Sequence, residues 1–358
     1  MISAGAAGLP AGLGIVEEPA MRRNAPWTIT VSLLLVWVCG CPQYRDPTVP
    51  GEVRKIAEPA EGRDYYLYVP TTYDPQRRWA LIVICHGTNP FDSAARQIGD
   101  WAKLAEEKQF IVAAPTLRGV NGMFPPPARR QLELQQQDER GILACVRHLE
   151  GAYNIAADRV FLVGWSGGGF AVLHTGLRHP DEFRALAVLQ GNFHDEYLSA
   201  VARSIDPYQP VYVLYGSTDV LTGRHGQRCV DWLNEHRAAV TVEEVGGAHK
   251  NHPKQAYEFF ERVVRKVPWL HIRAIADDPG SPLSVHFRIR ASFEPVRYEW
   301  SFGDGASSPV AAPLHTYDGP GRYKVTLTTE TPAGRRVVRA VEITLPQARF
   351  GAAALDRG

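Results

Sequence analysis

The sequence predicts two domains of different class in succession: an α/β domain built on a mostly parallel sheet with helices on both faces, then a small all-β, immunoglobulin-like sandwich. Strand-like apolar runs alternate with amphipathic helix-like stretches from Tyr65 to Lys266, the pattern of a sheet buried on both sides. Near Trp269 the periodicity changes to two residues and stays so to Leu345. The 358 residues also exceed the ~250 to 300 at which a single core usually stops growing.

Composition narrows the function classes. With 45% hydrophobic and 22% charged residues and a formal charge of +1, the chain has an ordinary globular balance. It lacks the basic excess that drives nucleic-acid binding through counterion release, so no DNA or RNA partner is expected.

Residues 1–41 read as a mis-assigned start plus a signal segment, with Met21 the expected initiator. From there "MRRNAPWTITVSLLLVWVCGC" has the basic, apolar, small-residue order of an export signal. Its end resembles the lipobox of bacterial lipoproteins, in which Cys41 is lipidated and attaches the mature protein to the membrane of the cell envelope. A plain signal peptide cut nearby and a short uncleaved anchor are the alternatives. The apolar run from Ile29 to Val38 is short for a bilayer span, which favours cleavage and export.

Residues 42–63 read as a linker, and residues 64–268 as the α/β domain. Its strands are expected at "YYLYV", "ALIVICH", "FIVAAP", "RVFLVGW", "ALAVLQG", "VYVLYG" and "VTVEEV". Helices are expected at Asp92 to Lys108, Asp138 to Tyr153, Gly168 to Arg178, Gln227 to Ala238 and Lys254 to Lys266. Thr116 to Gln137, with three consecutive prolines and no clear period, reads as a loop near the rim of a site. Cys85, Cys145 and Cys229 are few, odd in number and in apolar contexts, which points to buried apolar residues and a large core rather than a disulfide scaffold.

The stretch "RVFLVGWSGGGF", Arg159 to Phe170, places Ser166 directly after a strand and among glycines. A serine hydroxyl attacks a carbonyl only when a sharp turn exposes it and a base takes its proton. Gly164, Trp165, Ser166, Gly167 and Gly168 fit G-x-S-x-G, the nucleophile elbow, where the flanking glycines relieve backbone crowding. An acid and a histidine then follow in order, each beyond a strand. Asp219 lies in "YGSTDVLT" and His249 in "GGAHKNHP", with Asp206 and His252 as rivals for the two roles. The order Ser, Asp, His is that of the α/β-hydrolases. For the oxyanion, one N–H is expected from Gly167 and another from Thr88 or Asn89, after the His86–Gly87 turn.

Together, "RDYYLYVPTTYD", "ALIVICHGTNP", "DRVFLVGWSGGG", "YGSTD" and "GGAHKNHP" resemble the secreted α/β-hydrolases of the polyhydroxybutyrate depolymerase-like and feruloyl esterase-like group. The resemblance spans about Tyr65 to Val267. It implies an ester substrate, free or carried on a polymer, and a mechanism with no metal or other cofactor. Ser166 is then the nucleophile, His249 the base and Asp219 the group orienting it. Lys250 and Asn251 stand where that group often has a tryptophan soon after the histidine, which weakens the transfer of depolymerase specificity. His249 and His252 have no matching cysteines or carboxylates for a compact zinc site.

Residues 269–346 carry "YEWSFGDGASS" and "HTYDGPGRYKVTLT", which resemble a PKD domain. There Trp300 and Phe302 are expected in the sandwich core, Gly303, Asp304 and Gly305 in a tight turn, and Tyr317, Gly321 and Tyr323 in the later part of the signature. Two roles stay open for this domain: binding a surface polymer, or holding the hydrolase away from the membrane. Residues 347–358 read as a disordered tail. The sequence thus points to an exported serine esterase. A serine peptidase of prolyl oligopeptidase type and a catalytically silent surface-binding protein are the alternatives.

Overall fold

The computed structural model describes residues 50–122, 126–276 and 280–346. The expectations for the export segment, Cys41 and the tail lie outside the described residues.

A sheet of eight strands organises the first domain. In chain order the strands are β1 (Val53–Ala57), β2 (Asp64–Tyr68), β3 (Trp79–Cys85), β4 (Ile111–Pro115), β5 (Ile155–Trp165), β6 (Ala185–Leu189), β7 (Pro210–Gly216) and β8 (Ala239–Val245). Across the sheet they run β1-β2-β4-β3-β5-β6-β7-β8. β1 pairs antiparallel with β2, and β2 with β4, while every pairing from β4 to β8 is parallel. Helices α1 (Ala94–Lys108), α2 (Ala128–Ala152), α3 (Gly168–Ala171), α4 (Gly223–Glu235) and α5 (Pro253–Lys266) complete the domain. α3 runs on into a single π-helical turn, Val172–Gly176.

The apolar runs are continuous because each central strand feeds two cores. On β3, Leu81, Val83 and Cys85 face the layer containing α2, α3 and α4, while Ile82 and Ile84 face the layer containing α1 and α5. β5 divides in the same way, with Val160 and Leu162 against Phe161 and Val163. A period of two with apolar residues on both faces is the mark of a covered parallel strand. Each such aliphatic side chain contributes roughly 1.5–3 kcal/mol of transfer free energy. Cys85, Cys145 and Cys229 are buried free thiols within this packing, and burial pushes all three pKa values up.

Two sequence expectations are corrected. The stretch assigned to a linker contains β1, an edge strand whose VRKIA is almost entirely exposed and so shows no apolar alternation. The expected loop from Thr116 to Gln137 contains the first turns of α2, which begins at Ala128 rather than at Asp138. The inward residues there are Gln131, Gln135, Asp138 and Glu139, polar groups that hide the helical period. Asp138 and Gln131 tie the helix to the loop before it. Asp138 Oδ1 accepts from Arg63 Nη2 (2.9 Å) and from the Arg118 N–H (2.8 Å), its Oδ2 accepts from the Gly119 N–H (2.7 Å), and Gln131 Nε2 donates to Gly119 O (2.8 Å). A buried carboxylate with three donors is satisfied.

The second domain is a two-sheet sandwich. β9 (Leu270–Ile275), β10 (Ser284–Ala291) and β13 (Leu314–Thr316) form one sheet. β11 (Tyr298–Ser301), β12 (Ser307–Ser308), β14 (Gly321–Glu330) and β15 (Arg336–Leu345) form the other. Trp300, Phe302 and Tyr317 are buried between them with Phe287, Val325 and Leu327. The Trp300 indole N–H donates to Val310 O (2.9 Å) and the Tyr317 hydroxyl to Phe302 O (3.2 Å), so neither large ring strands a polar atom. Gly303 and Gly305 take φ of +87° and +97° in the turn, which asks for residues without Cβ.

Charged residues join the domains. Arg273 on β9 reaches Asp181 Oδ2 (2.8 Å) and Glu182 Oε1 (3.2 Å), and Arg290 on β10 reaches Asp181 O (2.8 Å) and Glu182 Oε2 (3.1 Å).

Candidate active site

The parallel strands deliver their following loops to one end of the sheet, and the sequence-predicted residues gather there. β5 ends at Trp165, and Ser166 then takes φ +52°, left-handed backbone that a non-glycine residue enters only at a cost. Backbone bonds hold it there: the Ser166 N–H donates to Leu189 O (3.2 Å), and Ser166 O accepts from the N–H groups of Asn192 (2.8 Å) and Gly169 (3.0 Å).

The glycine spacing has a steric cause. A Cβ on Gly168 would lie 2.1 Å from Cys85 O, and one on Gly164 would lie 2.5 Å from Gly168 O and 2.7 Å from Val172 Cγ2. The strand, the turn and the start of α3 are in backbone contact with each other and with the end of β3. Gly168→Ala is therefore expected to cost about 3 kcal/mol or more, because the clash falls on backbone that has no rotamer to change. A chemical denaturation midpoint close to wild type would refute this packing.

Gly167 opens α3, and a Cβ there would meet Thr88 Oγ1 at 2.7 Å and Thr88 N at 3.2 Å. The backbone of Gly167 and that of Thr88 are thus neighbours at the elbow. The turn before Thr88 is built around His86, which is buried. Its Nδ1 lies 2.8 Å from Gly87 O and its Nε2 accepts from the Leu117 N–H (3.0 Å), which makes it a neutral imidazole with the proton on Nδ1. Burial lowers its pKa, against smaller opposing effects of Gly87 O, Asp92 and Asp138. The Gly87 N–H donates to Asp92 Oδ2 (2.6 Å), and Gln97 links Asp92 to Asn251 through bonds of 2.9 and 2.7 Å.

Asp219 lies in the loop after β7 with its carboxylate almost fully buried. Oδ2 accepts from Thr222 Oγ1 (2.5 Å) and faces His249 Nδ1 at 2.7 Å, while Oδ1 accepts from the N–H groups of Leu221 (2.9 Å) and Thr222 (3.3 Å). Burial alone raises the pKa, but the bonds from Thr222, His249 and Leu221 outweigh it and hold the group below the usual carboxylate range. An ionised Asp219 keeps the His249 proton on Nδ1 and leaves Nε2 as the basic atom.

His249 stacks on Trp165, with ring centroids 4.9 Å apart and 28° between the planes. This places the imidazole beside the residue preceding Ser166. Among the described residues no hydrogen bond joins the Ser166 hydroxyl to His249; such contacts commonly tighten only with substrate bound. The rivals lie elsewhere. Asp206 accepts from the Tyr208 N–H (2.8 Å) and faces His271 at 3.6 Å, and His252 occupies the N-cap position of α5.

Gln190 was not singled out by the sequence. It follows β6 directly, takes φ +42° and is wholly buried. Its Nε2 donates to Ala248 O (3.4 Å) and its Oε1 accepts from the Lys250 N–H, so one side chain grips the backbone on both sides of His249. A position immediately after a central parallel strand was the available signal. Among the described residues no three His, Cys, Asp or Glu side chains form a group able to hold a metal ion.

Comparison with known proteins follows the same division. Residues 100–226 match the prolyl oligopeptidase family, and residues 271–345 match the PKD domain. A bifunctional acetylxylan esterase/xylanase of Neocallimastix patriciarum is 27% identical over 135 residues, which is 37% of this chain and 19% of that protein. The chain therefore spans about a fifth of that relative. A putative dipeptidyl aminopeptidase IV of Bacteroides ovatus is similar in structure with a TM-score of 0.46 and 16% identity, over 60% of this chain and 35% of that one. A ferulic acid esterase of Anaeromyces mucronatus has the same TM-score and identity over 62% of this chain and 94% of its own. The chain carries an α/β-hydrolase domain, of the superfamily that includes esterases and peptidases, followed by a PKD domain.

Proposed function

We propose that the protein is an exported serine esterase that cleaves carboxylic esters through an acyl-enzyme on Ser166. The observation that carries this reading is the buried Asp219 carboxylate bonded to His249 Nδ1, with the imidazole stacked beside the strained Ser166 turn. In this reading His249 Nε2 takes the proton as Ser166 Oγ adds to the ester carbonyl. Negative charge then develops on the carbonyl oxygen, where the N–H groups of Gly167 and Thr88 receive it. His249 passes the proton to the leaving alcohol and afterwards activates the water that frees the acid.

The substrate side of the proposal is an acyl ester carried on a polymer. The relative whose name includes acetylxylan esterase supports it. So do the exposed apolar side chains of Phe91, Val220 and Leu221 on the loops that carry Thr88 and Asp219, which offer an apolar rim to an acyl or aryl group. Lipidation at Cys41 belongs to the same proposal. Radiolabelled palmitate should enter wild type and not Cys41→Ala in a bacterial host.

A peptidase is the second reading, favoured by the prolyl oligopeptidase match over residues 100–226. Acetyl, feruloyl and hydroxyalkanoate esters and prolyl amides tested side by side separate the two. The esterase reading expects turnover of at least one ester and none of the amides; hydrolysis of amides at comparable kcat/KM would replace it with the peptidase.

A further inference from the structure

A group of unpaired cations lies far from Ser166, in a cleft of about 610 Å³ between the two domains. Arg262 and Lys266 of α5 line one wall, and Arg335, Arg336 and Arg339, at the start of β15, line the other. Among the described residues no carboxylate is in the lining. Among the described residues none of the five cations forms an ion pair, and Asp206 acts on Arg339 only from beyond ion-pair distance. The contrast with the neighbouring Arg273 and Arg290, both held by carboxylates, is plain. In a chain with a formal charge of +1, five unpaired cations around one recess make a local field of a single sign.

The cleft is built rather than loose. Arg335 Nη1 donates to Lys266 O (2.9 Å) and Arg339 Nη2 to Pro268 O (3.0 Å), so β15 is tied to the end of α5. Arg339 also lies 4.2 Å over the Tyr208 ring, and its Nε is buried without a partner. Between the charges the floor is aliphatic, formed by Val240, Val263, Val267 and Val338.

Its position separates it from the serine. The cleft is lined by Pro210, the first residue of β7, and by Ala239 to Thr241 at the start of β8, whereas Asp219 and His249 follow the other ends of these strands. β7 spans seven residues, about 20 Å at ~3.3 Å per residue. A ligand in the cleft is not the group attacked at Ser166.

We propose that this cleft binds a segment of an acidic polysaccharide, with uronate carboxylates on the five cations and the C–H faces of the sugar rings on the valine floor. Several cations call for several anionic groups on one ligand, and arginine guanidinium groups match carboxylates well. A concave recess does not fit a flat anionic membrane. Single-stranded nucleic acid asks for exposed stacking rings, and here the surface ring, Tyr208, is already covered by Arg339. The site would hold the enzyme on a polymer independently of the serine chemistry.

Isothermal titration of the full chain with tetragalacturonate tests this. Binding is expected, weakening as salt rises, with fully methyl-esterified tetragalacturonate inert. The variant Arg262→Gln, Lys266→Gln, Arg336→Gln removes exposed groups whose side chains make no hydrogen bonds among the described residues. It is expected to weaken binding about tenfold or more, roughly the sum of three exposed charge contacts, and to leave hydrolysis of a small soluble ester unchanged. If that variant fails to fold, Arg336→Gln alone should weaken binding about twofold to threefold. Absence of tetragalacturonate binding, equal binding by the variant or by the methyl ester, or tighter binding of anionic phospholipid vesicles or single-stranded DNA would overturn the proposal.

Discussion

Replacing Ser166 by alanine is expected to lower turnover of a carboxylic ester by about a millionfold while leaving Tm unchanged. The loss is large because the acyl-enzyme forms on the Ser166 hydroxyl, and the residual rate comes from binding and from the oxyanion donors. Stability is spared for a structural reason. The bonds that hold residue 166 in its left-handed conformation are made by its backbone N–H and C=O, and alanine keeps both. Steady-state kinetics on an acetyl ester with a matched thermal melt is the check; activity within tenfold of wild type would exclude Ser166 as the attacking group.

Asp219→Asn is expected to lower kcat by about 10⁴-fold with a much smaller change in KM, through the tautomer of His249. In the native site Oδ2 accepts from Thr222 Oγ1 and from His249 Nδ1, while Oδ1 accepts from two backbone N–H groups. An asparagine keeps its carbonyl oxygen where the two backbone donors point, so its NH₂ turns toward His249 Nδ1. The imidazole must then accept at Nδ1 and carry its proton on Nε2, where it has no lone pair to take the Ser166 proton. The substitution is nearly isosteric, so a lost rate with the fold retained reports proton placement. A merely structural Asp219 would lower Tm and leave kcat of the folded fraction near wild type.

Much of this site was legible because its constraints are local. Gly164 and Gly168 occupy positions where a Cβ would strike backbone, so the spacing around Ser166 is a steric signature written in five residues. Asp219 was favoured over Asp206 in the loop that follows the strand "VYVLYG", and the structure places its carboxylate 2.7 Å from His249 Nδ1. The aromatic residues of the PKD signature were legible for a similar reason, since Trp300, Phe302 and Tyr317 fill the core of a small sandwich.

What stayed hidden is what depends on partners distant in the chain. The first turns of α2 look structureless because its inward residues there are polar, with Gln131 and Asp138 bonded to the loop at Arg118 and Gly119. β1 is an exposed edge strand, so no apolar face marks it. Gln190 bonds backbone groups of Ala248 and Lys250, some sixty positions away, and its place directly after β6 marks the position but not those partners. The basic cleft draws its cations from α5 and the start of β15, two stretches that become one wall and its opposite only after the domains have docked.

The central claim is that Ser166 is an activated nucleophile. Its most direct test is fluorophosphonate labelling of the folded protein lacking residues 1–41, with the adduct located by peptide mass spectrometry. The account predicts one adduct, on Ser166, formed fast in wild type and very slowly in Asp219→Asn. A protein that is folded and stays unlabelled, or that carries its label on another residue, would contradict it and bring the surface-binding reading forward.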